Sequence, residues 1–447
     1  MEKILVANRG EIALRVMRTA KKMGIRTVAV YSEIDRDAPH VRFADEAVLL
    51  GPPPSGQSYL KGDLIIDAAK KLAVDGIHPG YGFLSENAGF AEATEKAGIT
   101  FIGPSPYAIE IMGSKLAAKE AVKKYGIPMV PGTEEPVTDL TTAKKIAADV
   151  GYPILIKASA GGGGKGMRIV EKESDLGEQM ERAVSEAVSA FGDGAVFIEK
   201  YITSPRHIEI QVLADTHGHA IHLGERDCSM QRRHQKVIEE APAPGIPRRL
   251  IERIGERCVA ACKKIGYRGA GTFEFLYENG EFYFIEMNTR VQVEHPVTEW
   301  VTGIDIVRTQ IMVAAGEKLP FTQRQIQLKG HAIECRINAE DPFKFTPSPG
   351  RITMWHQPGG PGVRVDSHAY TNYFVPPNYD SMIGKIIVYG DTREQAIARM
   401  QTALAETVVE GISSNIPLHR ELMVDAKFRA GGTNIHYLER WLSEHQR

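Results

Sequence analysis

Short apolar runs and segments of helical periodicity alternate along the first hundred residues of the chain. The apolar runs lie at 4–7, 27–31, 76–78 and 100–102, and the helical segments at 11–22, 63–72 and 87–97. Strands that alternate with helices at this spacing predict a parallel, doubly wound sheet. The pattern therefore predicts an α/β domain over residues 1–112.

The next part of the chain predicts a smaller α+β unit. A helix at 115–125 is followed by Pro128, Pro131 and Pro136, which mark a linker. Beyond the linker, the periodicity predicts helices at 141–150 and 176–191 and strands at 154–157, 167–170 and 195–199. We expect a linker and a lid over 113–203, with the lid itself at about 131–203. The remainder, 204–447, is predicted to be strand-rich.

A glycine-rich loop joins two of these strands. It contains Gly161 to Gly164 followed by Lys165 and Gly166. A P-loop would need Ser or Thr at 166 and a helix after the loop, so that interpretation fails. Glycines still let backbone N–H groups approach phosphate oxygens, and such loops can close over a site. A merely flexible loop is the alternative, but Lys157 at the end of the preceding strand favours phosphate contact.

Strict alternation from Phe282 to Asn288 predicts a strand with Glu286 and Asn288 on one face. A three-residue loop over 279–281 would pair it with the strand at 272–277 and set Glu274 opposite Glu286. Only this register gives a clean apolar face. Opposed acids need a compensating cation, and hard oxygen ligands suit Mg²⁺. The alternative is a solvent-facing hairpin with scattered acids.

Charged residues continue directly after this predicted strand. Arg290 offers an anion binder and Glu294 a possible base, which together indicate phosphoryl-transfer chemistry on a small anion. Another run, 228–236, is rich in side-chain donors. By default it is a solvated basic turn, partly offset by Glu239 and Glu240.

Composition narrows the class of protein. The chain has 447 residues, 43% of them hydrophobic and 25% charged, with a formal net charge of −2. These values favour a multidomain globular protein and give no sign of a nucleic-acid or membrane partner. The first residues enter a strand without a secretory hydrophobic region, no apolar run reaches membrane-spanning length, and the four cysteines form no CxxC motif. We expect a reducing, cytoplasmic setting. No GxGxxG is present, so a dinucleotide fingerprint is not supported.

Five motifs, in this order, resemble those of biotin carboxylases, members of the ATP-grasp superfamily. They are 78–87, 161–166, 226–233, 286–295 and 334–341. The likeness extends from residue 3 to about 445. It implies an α/β and α+β multidomain ATP-grasp fold with an N-terminal doubly wound domain, a mobile glycine-rich lid and a strand-rich C-terminal domain.

The resemblance also implies roles for individual residues. The nucleotide-binding set would be Lys115, Lys157, Gly163, Gly164, Glu199, Lys200, Tyr201, Ile202, His207, Gln231, His234, Glu274, Leu276 and Glu286. Glu274, Glu286 and Asn288 match the metal ligands. Lys236, Arg290, Gln292 and Val293 resemble a bicarbonate pocket, Glu294 the base, and Arg336 the group that steadies the biotin enolate.

The implied activity is ATP-dependent carboxylation of biotin by bicarbonate, with two Mg²⁺ or Mn²⁺ ions. Because the sequence ends at 447 without an Ala-Met-Lys-Met motif, we expect biotin on a separate carrier protein. Carboxyltransferase subunits and a homodimer are the other expected partners. Acetyl-CoA carboxylase is the favoured complex, with pyruvate and propionyl-CoA carboxylases as alternatives. Another ATP-grasp ligase, or a regulatory nucleotide-binding subunit, would be expected to lack part of this motif set.

Overall fold

The computed structural model describes residues 1–158, 167–191 and 194–445. The chain forms two compact units. The larger unit contains Met1–Ile127, Arg206–Phe275 and Ile285–Arg447, and the smaller unit contains Pro128–Pro205 and Leu276–Phe284. Among the described residues, no helix combines the length and apolar character needed to cross a membrane.

The N-terminal part of the larger unit is built on a parallel sheet of five strands in the order β3-β2-β1-β4-β5. This confirms the predicted parallel sheet. Its elements are β1 Lys3–Val6, α1 Gly10–Lys22, β2 Arg26–Ser32, α2 Pro39–Phe43, β3 Glu46–Gly51, α3 Gly62–Lys71, β4 Gly76–His78, α4 Ala88–Lys96, β5 Thr100–Phe101, α5 Pro106–Gly113 and α6 Lys115–Lys123, with 3-10 turns at Glu33–Asp35 and Ser55–Gln57.

The sequence did not predict β3. This strand lies at the edge of the sheet, and Ala47 and Leu49 on it are exposed. An edge strand buries few side chains, so it leaves little periodic signal in the sequence.

The smaller unit packs two helices with a three-stranded antiparallel sheet in the order β7-β6-β8. Its elements are α7 Leu140–Val150, β6 Ile154–Ala158, β7 Met167–Val170, α8 Glu173–Phe191 and β8 Val196–Lys200. Ile154, Ile156 and Ile198 belong to its core, together with Leu176 and Met180 of α8. The glycine-rich loop, with Gly163 and Gly164, lies outside the described residues.

The rest of the chain is organised around an eight-stranded sheet, β13-β12-β9-β10-β11-β14-β19-β17, with helices that the sequence analysis omitted. The elements are β9 Arg206–Ala214, β10 Ala220–Arg232, β11 Gln235–Ala241, α9 Arg248–Ile265, β12 Gly269–Glu278, β13 Glu281–Asn288, α10 His295–Thr302, α11 Ile306–Ala314, a 3-10 turn Gln323–Gln325, β14 His331–Asn338, β15 Gly350–Arg351, β16 Met354–His356, β17 Val363–Ser367, β18 Phe374–Val375, β19 Met382–Gly390, α12 Arg393–Glu406, β20 Val408–Glu410, α13 Ile416–Val424, α14 Ala426–Ala430 and α15 Tyr437–Glu444.

The hairpin between β12 and β13 corrects the predicted register. Its loop has two residues, Asn279 and Gly280, with φ angles of 51° and 85°. Positive φ at both positions is the geometry of a type I′ turn, which Asn-Gly favours. The rings of Tyr277 and Phe282 lie 4.8 Å apart, as expected for opposed residues next to such a turn. The predicted three-residue loop is therefore wrong.

Glu274 and Asn288 nevertheless meet, as the sequence predicted. Asn288 Nδ2 donates to Glu274 Oε1 at 2.7 Å. Uninterrupted alternation from a two-residue turn would place these side chains on opposite faces. Burial along β13 alternates until Ile285 and Glu286, which are both half-buried. We therefore infer an irregularity in the pairing there, and local sequence periodicity could not reveal it.

Candidate active site

Lys236, near the start of β11, lies at the centre of a group of acids in the larger unit. Its Nζ is 2.8 Å from Glu209 Oε2, 2.9 Å from Glu274 Oε1 and 2.7 Å from Glu294 Oε1. Only 12% of the Lys236 side chain is exposed. A largely buried ammonium interacts with three neighbouring carboxylates more strongly than it would at an exposed surface.

Arg226, on β10, is fully buried and donates hydrogen bonds to residues of this group. It donates to Glu209 Oε1 at 2.5 Å and to Gln292 Oε1 at 2.6 Å. The amide of Gln292 in turn donates to Glu274 Oε1 at 2.9 Å. Gln292 therefore has a fixed amide orientation, with its Nε2 directed at the acids.

Glu294 immediately precedes α10 and is 2% exposed. Arg336, on β14, donates from Nη2 to Glu294 Oε2 at 3.1 Å and from Nε to Glu239 Oε1 at 2.5 Å. Glu340, four residues further along the chain, accepts a hydrogen bond from Ser381 instead. Arg336 thus faces the same carboxylate as Lys236.

The charged residues of this network determine the protonation states of Glu294 and Lys236. Burial alone would raise the pKa of Glu294, but Lys236, Arg336 and Arg226 hold that pKa well below its ordinary value. Burial likewise opposes the charge of Lys236, but Glu209, Glu294 and Glu274 raise the pKa of its ammonium well above the ordinary range. Glu294 is therefore an ionised carboxylate at neutral pH.

Arg290 joins the network through Asn288. Its Nη2 donates to Asn288 Oδ1 at 3.1 Å, and its Nε lies 3.0 Å from Glu86 Oε2. Val293 is held by its backbone carbonyl, which accepts a hydrogen bond from the buried Lys385 at 2.6 Å. The structure therefore gathers the predicted residues Lys236, Glu274, Asn288, Arg290, Gln292, Glu294 and Arg336 into one connected set.

His207 and Gln231 lie at the edge of this set. His207 Nε2 is 3.1 Å from Glu274 Oε2, and Gln231 Nε2 is 3.3 Å from His207 Nδ1. The run 228–236 is not the solvated basic turn expected by default, since Cys228 and Gln231 are buried on β10. Only its tip is a turn: Arg233 and His234 are exposed and have positive φ.

In the smaller unit, Lys157 on β6 forms an ion pair with Glu199 on the neighbouring strand β8. Lys200 Nζ donates to the carbonyl of Gly151 at 3.0 Å. Tyr201 and Leu276 are half-buried and Ile202 is buried. Lys115 is the first residue of α6 in the larger unit.

The donor set fits a hard divalent cation. Glu274 and Asn288 present carboxylate and amide groups on one face, and Glu286 lies two residues before Asn288 on β13. Glu274 already accepts from Lys236, Gln292 and Asn288, and its pKa is lowered, with Lys236 as the largest favourable contribution against burial. An ionised carboxylate is the ligand type that Mg²⁺ prefers, and Glu274 provides one.

Sequence reasoning missed three acids of the network and the role of Arg226. Glu209 lies between Ile208 and Ile210 in an apolar strand, and a charge in that position was a usable signal. Glu239 was noted only as an offset to the basic run, and Glu86 only as part of a motif. Their partners lie far away in the sequence, so no local pattern identified them.

Three family models match the chain. "Biotin carboxylase, N-terminal domain" matches residues 1–109, "Carbamoyl-phosphate synthase L chain, ATP binding domain" matches 114–322, and "Biotin carboxylase C-terminal domain" matches 334–440.

Individual relatives cover nearly the whole chain. Biotin carboxylase of Haemophilus influenzae is 61% identical over 443 residues, 99% of each chain. A pyruvate carboxylase subunit of Methanothermobacter thermautotrophicus is 55% identical over 98% of this chain and 90% of its own. The solved biotin carboxylase domain of a thermophilic 2-oxoglutarate carboxylase bound to bicarbonate is 49% identical, with a TM-score of 0.93 and 98% coverage of both chains.

Proposed function

Because the chain belongs to the biotin carboxylase family, ATP-dependent carboxylating ligases with the ATP-grasp fold, we propose that Lys236, Arg290, Glu294 and Arg336 carry its catalysis. The reaction is the carboxylation of biotin on a separate carrier protein, by way of carboxyphosphate. One observation supports this most strongly: Glu294 is a buried carboxylate placed between Lys236 and Arg336.

Bicarbonate binds, in this proposal, beside Lys236 with Arg290, Gln292 and Val293 around it. A guanidinium can hold a planar oxyanion through two hydrogen bonds. The bound anion would also interact with the Lys236 ammonium. This ammonium, which lowers the pKa of Glu294 in the free site, would then lower it less. Substrate binding would therefore make Glu294 a stronger base at the moment when it takes the bicarbonate proton.

ATP is the phosphoryl donor. The proposed nucleotide residues of the smaller unit, supported by the family resemblance, are Lys157, Gly163, Gly164, Glu199, Lys200, Tyr201, Ile202 and Leu276; those of the larger unit are Lys115, His207, Gln231, His234, Glu274 and Glu286. Mg²⁺ or Mn²⁺ held by Glu274, Glu286 and Asn288 would supply charge neutralisation on the phosphates. Lysines and backbone N–H groups position the γ-phosphoryl group for attack by the bicarbonate oxygen.

Arg336 serves the second half of the reaction. Carboxyphosphate breaks down to CO₂ and phosphate, and the phosphate can accept the proton of the biotin ureido nitrogen. The oxyanion that forms on biotin needs a fixed donor, and Arg336 Nη2 is already directed toward the site by its bond to Glu294.

The most specific part of the proposal is the identity of the carboxylase complex, which decides the acceptor of the carboxyl group. We propose acetyl-CoA carboxylase, with a biotin carboxyl carrier protein and carboxyltransferase subunits as partners and a homodimer as the working form. A pyruvate carboxylase is the second candidate, because a relative 55% identical is named as one of its subunits. Domain boundaries are proposed at 1–112, 113–203 and 204–447.

Bicarbonate-dependent ATP hydrolysis, measured with and without free biotin, tests the activity. We expect slow hydrolysis that needs bicarbonate and a marked acceleration by biotin. Hydrolysis indifferent to both additions would contradict the proposal. Adding purified carrier and carboxyltransferase components, with acetyl-CoA or pyruvate as acceptor, then distinguishes the two complexes.

A further inference from the structure

Two fully buried carboxyl groups, those of Glu239 and Glu334, lie close to Arg336. Glu239 on β11 and Glu334 on β14 are directly opposed in the antiparallel ladder, so their side chains share one face of the sheet. Both residues are 0% exposed. Glu239 Oε1 accepts from Arg336, but Glu239 Oε2 and both oxygens of Glu334 have no hydrogen-bond partner within the described part of the chain.

Three unpartnered oxygens at one buried position need a physical explanation. If both groups were ionised, two like charges would be opposed on a ladder and only one of their four oxygens would be satisfied. Lys385 and Arg336 attract Glu334, but neither donates a hydrogen bond to it. Lys385 donates to Val293 O and pairs with Glu11 at 3.2 Å, and Lys236 contacts three other acids. Glu294, the remaining charged neighbour, adds further negative charge.

We propose that Glu239 and Glu334 share one proton, and that this acid–carboxylate pair positions Arg336 against Glu294. The O–H of one carboxyl group donates to an oxygen of the other, which satisfies two of the three unpartnered oxygens. Only the consequence for catalysis rests on the proposed function; the shared proton rests on the packing alone.

The directions of the pKa shifts agree with this arrangement. Burial raises the pKa of Glu239 to about 7, and Glu294 adds to the shift while Arg336 opposes it. Burial also raises the pKa of Glu334 well above its ordinary value, with Lys385 opposing and Glu239 adding to the shift. Two carboxyl groups that repel each other retain a proton to higher pH than either would alone.

A shared proton would also preserve the function of Arg336. With one proton on the pair, the guanidinium faces a single charge from that side and a second from Glu294. A second ionised acid behind it would draw Arg336 away from Glu294 and weaken its attraction for an oxyanion. The pair therefore fixes both the direction and the effective charge of Arg336.

Infrared difference spectroscopy tests the proton directly. We expect the wild-type spectrum minus that of Glu334→Gln, at pH 7, to show the carbonyl stretch of a protonated carboxylic acid, which shifts in D₂O. Glu240→Gln is the matched control. Glu240 is the next residue on β11 and is also buried, but His331 and Arg393 pair with it and lower its pKa. Its difference spectrum should show a carboxylate band instead.

Kinetics test the positioning role. Glutamine can reproduce the donor of a neutral Glu334, whereas leucine cannot. We expect Glu334→Gln to keep biotin-dependent kcat within about threefold and Glu334→Leu to lose about 10–100-fold, the range for partners of functional residues. The KM for ATP should change little in either variant. A high kcat in Glu334→Gln together with a low kcat in Glu334→Leu would show that the hydrogen-bond donor at this position matters, and not only the integrity of the fold.

The outcomes are distinguishable. Absence of a carboxylic-acid band in both the Glu334→Gln and Glu239→Gln difference spectra would overturn the shared proton in favour of an ionised, water-bridged pair. A band together with equal rates for the glutamine and leucine variants would overturn the positioning role. If the protein proved to catalyse another reaction, the band would remain, so failure of the proposed function would be recognised separately.

Discussion

The two faces of the sheet formed by β11, β14 and β19 differ in composition along the middle of β14. On one face, Ile333, Cys335 and Ile337 of β14 join the largest apolar core of the C-terminal part. On the other face, Glu334 and Arg336 of the same strand meet Glu239 and Lys385. At these three apolar positions the requirement is for close-packed volume, whereas Glu334 and Arg336 each need a charged or hydrogen-bonding partner.

Because of this difference, alternate residues of β14 contribute to the stability of the fold and to the chemistry of the site. Close apolar packing behind β14 anchors its backbone, and the alternate side chains can then be held at defined positions beside Glu294. Removing one partner of a buried pair typically costs about 3–5 kcal/mol, while conservative changes in apolar packing cost less. The two faces should therefore respond differently to substitution.

The largest effect is expected at Glu294. Glu294→Gln keeps the shape of the side chain but removes the base, so biotin-dependent turnover should fall by roughly 10²–10⁴-fold. ATP affinity should remain close to that of the parent. Steady-state rates and equilibrium ATP binding on the same preparation check this, and retention of more than about a tenth of the parental rate would contradict the role.

Arg336→Ala should separate the half-reactions. Biotin carboxylation should fall by about 10²–10³-fold, because one fixed oxyanion donor is lost. Bicarbonate-dependent ATP cleavage without biotin should persist near the parental level. The melting temperature must be recorded as well, since Glu239 and Glu294 lose a buried partner. Parallel losses of both rates and of stability would assign Arg336 a structural role only.

Glu286→Gln should raise the Mg²⁺ concentration needed for activity by about tenfold or more, because a charged ligand becomes neutral. Glu281→Gln, an exposed acid at the start of the same strand, is the control. Titrating Mg²⁺ at fixed ATP gives the measurement. Equal metal requirements in the two variants would mean that Glu286 is not a ligand.

The apolar face should give a modest and purely structural effect. Ile333→Val removes one methylene group from a fully buried position and should destabilise the fold by about 0.5–1.5 kcal/mol. Catalytic constants should be unchanged at a temperature where the variant is folded. A loss of kcat comparable with that of Glu334→Leu would show that the two faces are not independent.

The smallest effect concerns pH. The pKa of Glu239 is raised from an ordinary 4.5 to about 7, so the folded state binds more protons than the unfolded state between these values. Its contribution to stability is therefore present below pH 4.5 and lost as pH rises to about 7. Glu239→Gln should flatten the melting temperature across this window. If the melting temperature of the variant depends on pH as strongly as that of the parent, a group other than Glu239 titrates in this window.

Local sequence patterns were sufficient for some features of the site. The motif after β13 predicted Arg290 and Glu294, whereas the contact of Asn288 with Glu274 was predicted from a register that is wrong. Periodicity also predicted the parallel sheet, although the edge strand β3 was missed. The loop between β12 and β13 was predicted with one residue too many, because an apolar-face argument outweighed the Asn-Gly turn preference.

Other features depended on the tertiary structure. The acids that surround Lys236 come from β9, β12 and the residue before α10, and Arg336 comes from β14. Each strand by itself specifies only which side chains face inward, since its period is two residues. Which charges then become neighbours depends on strand order and pairing, and these place Glu334 opposite Glu239. The sequence determined the chemical groups; their arrangement into a charged, buried network was decided by contacts between segments far apart in the chain.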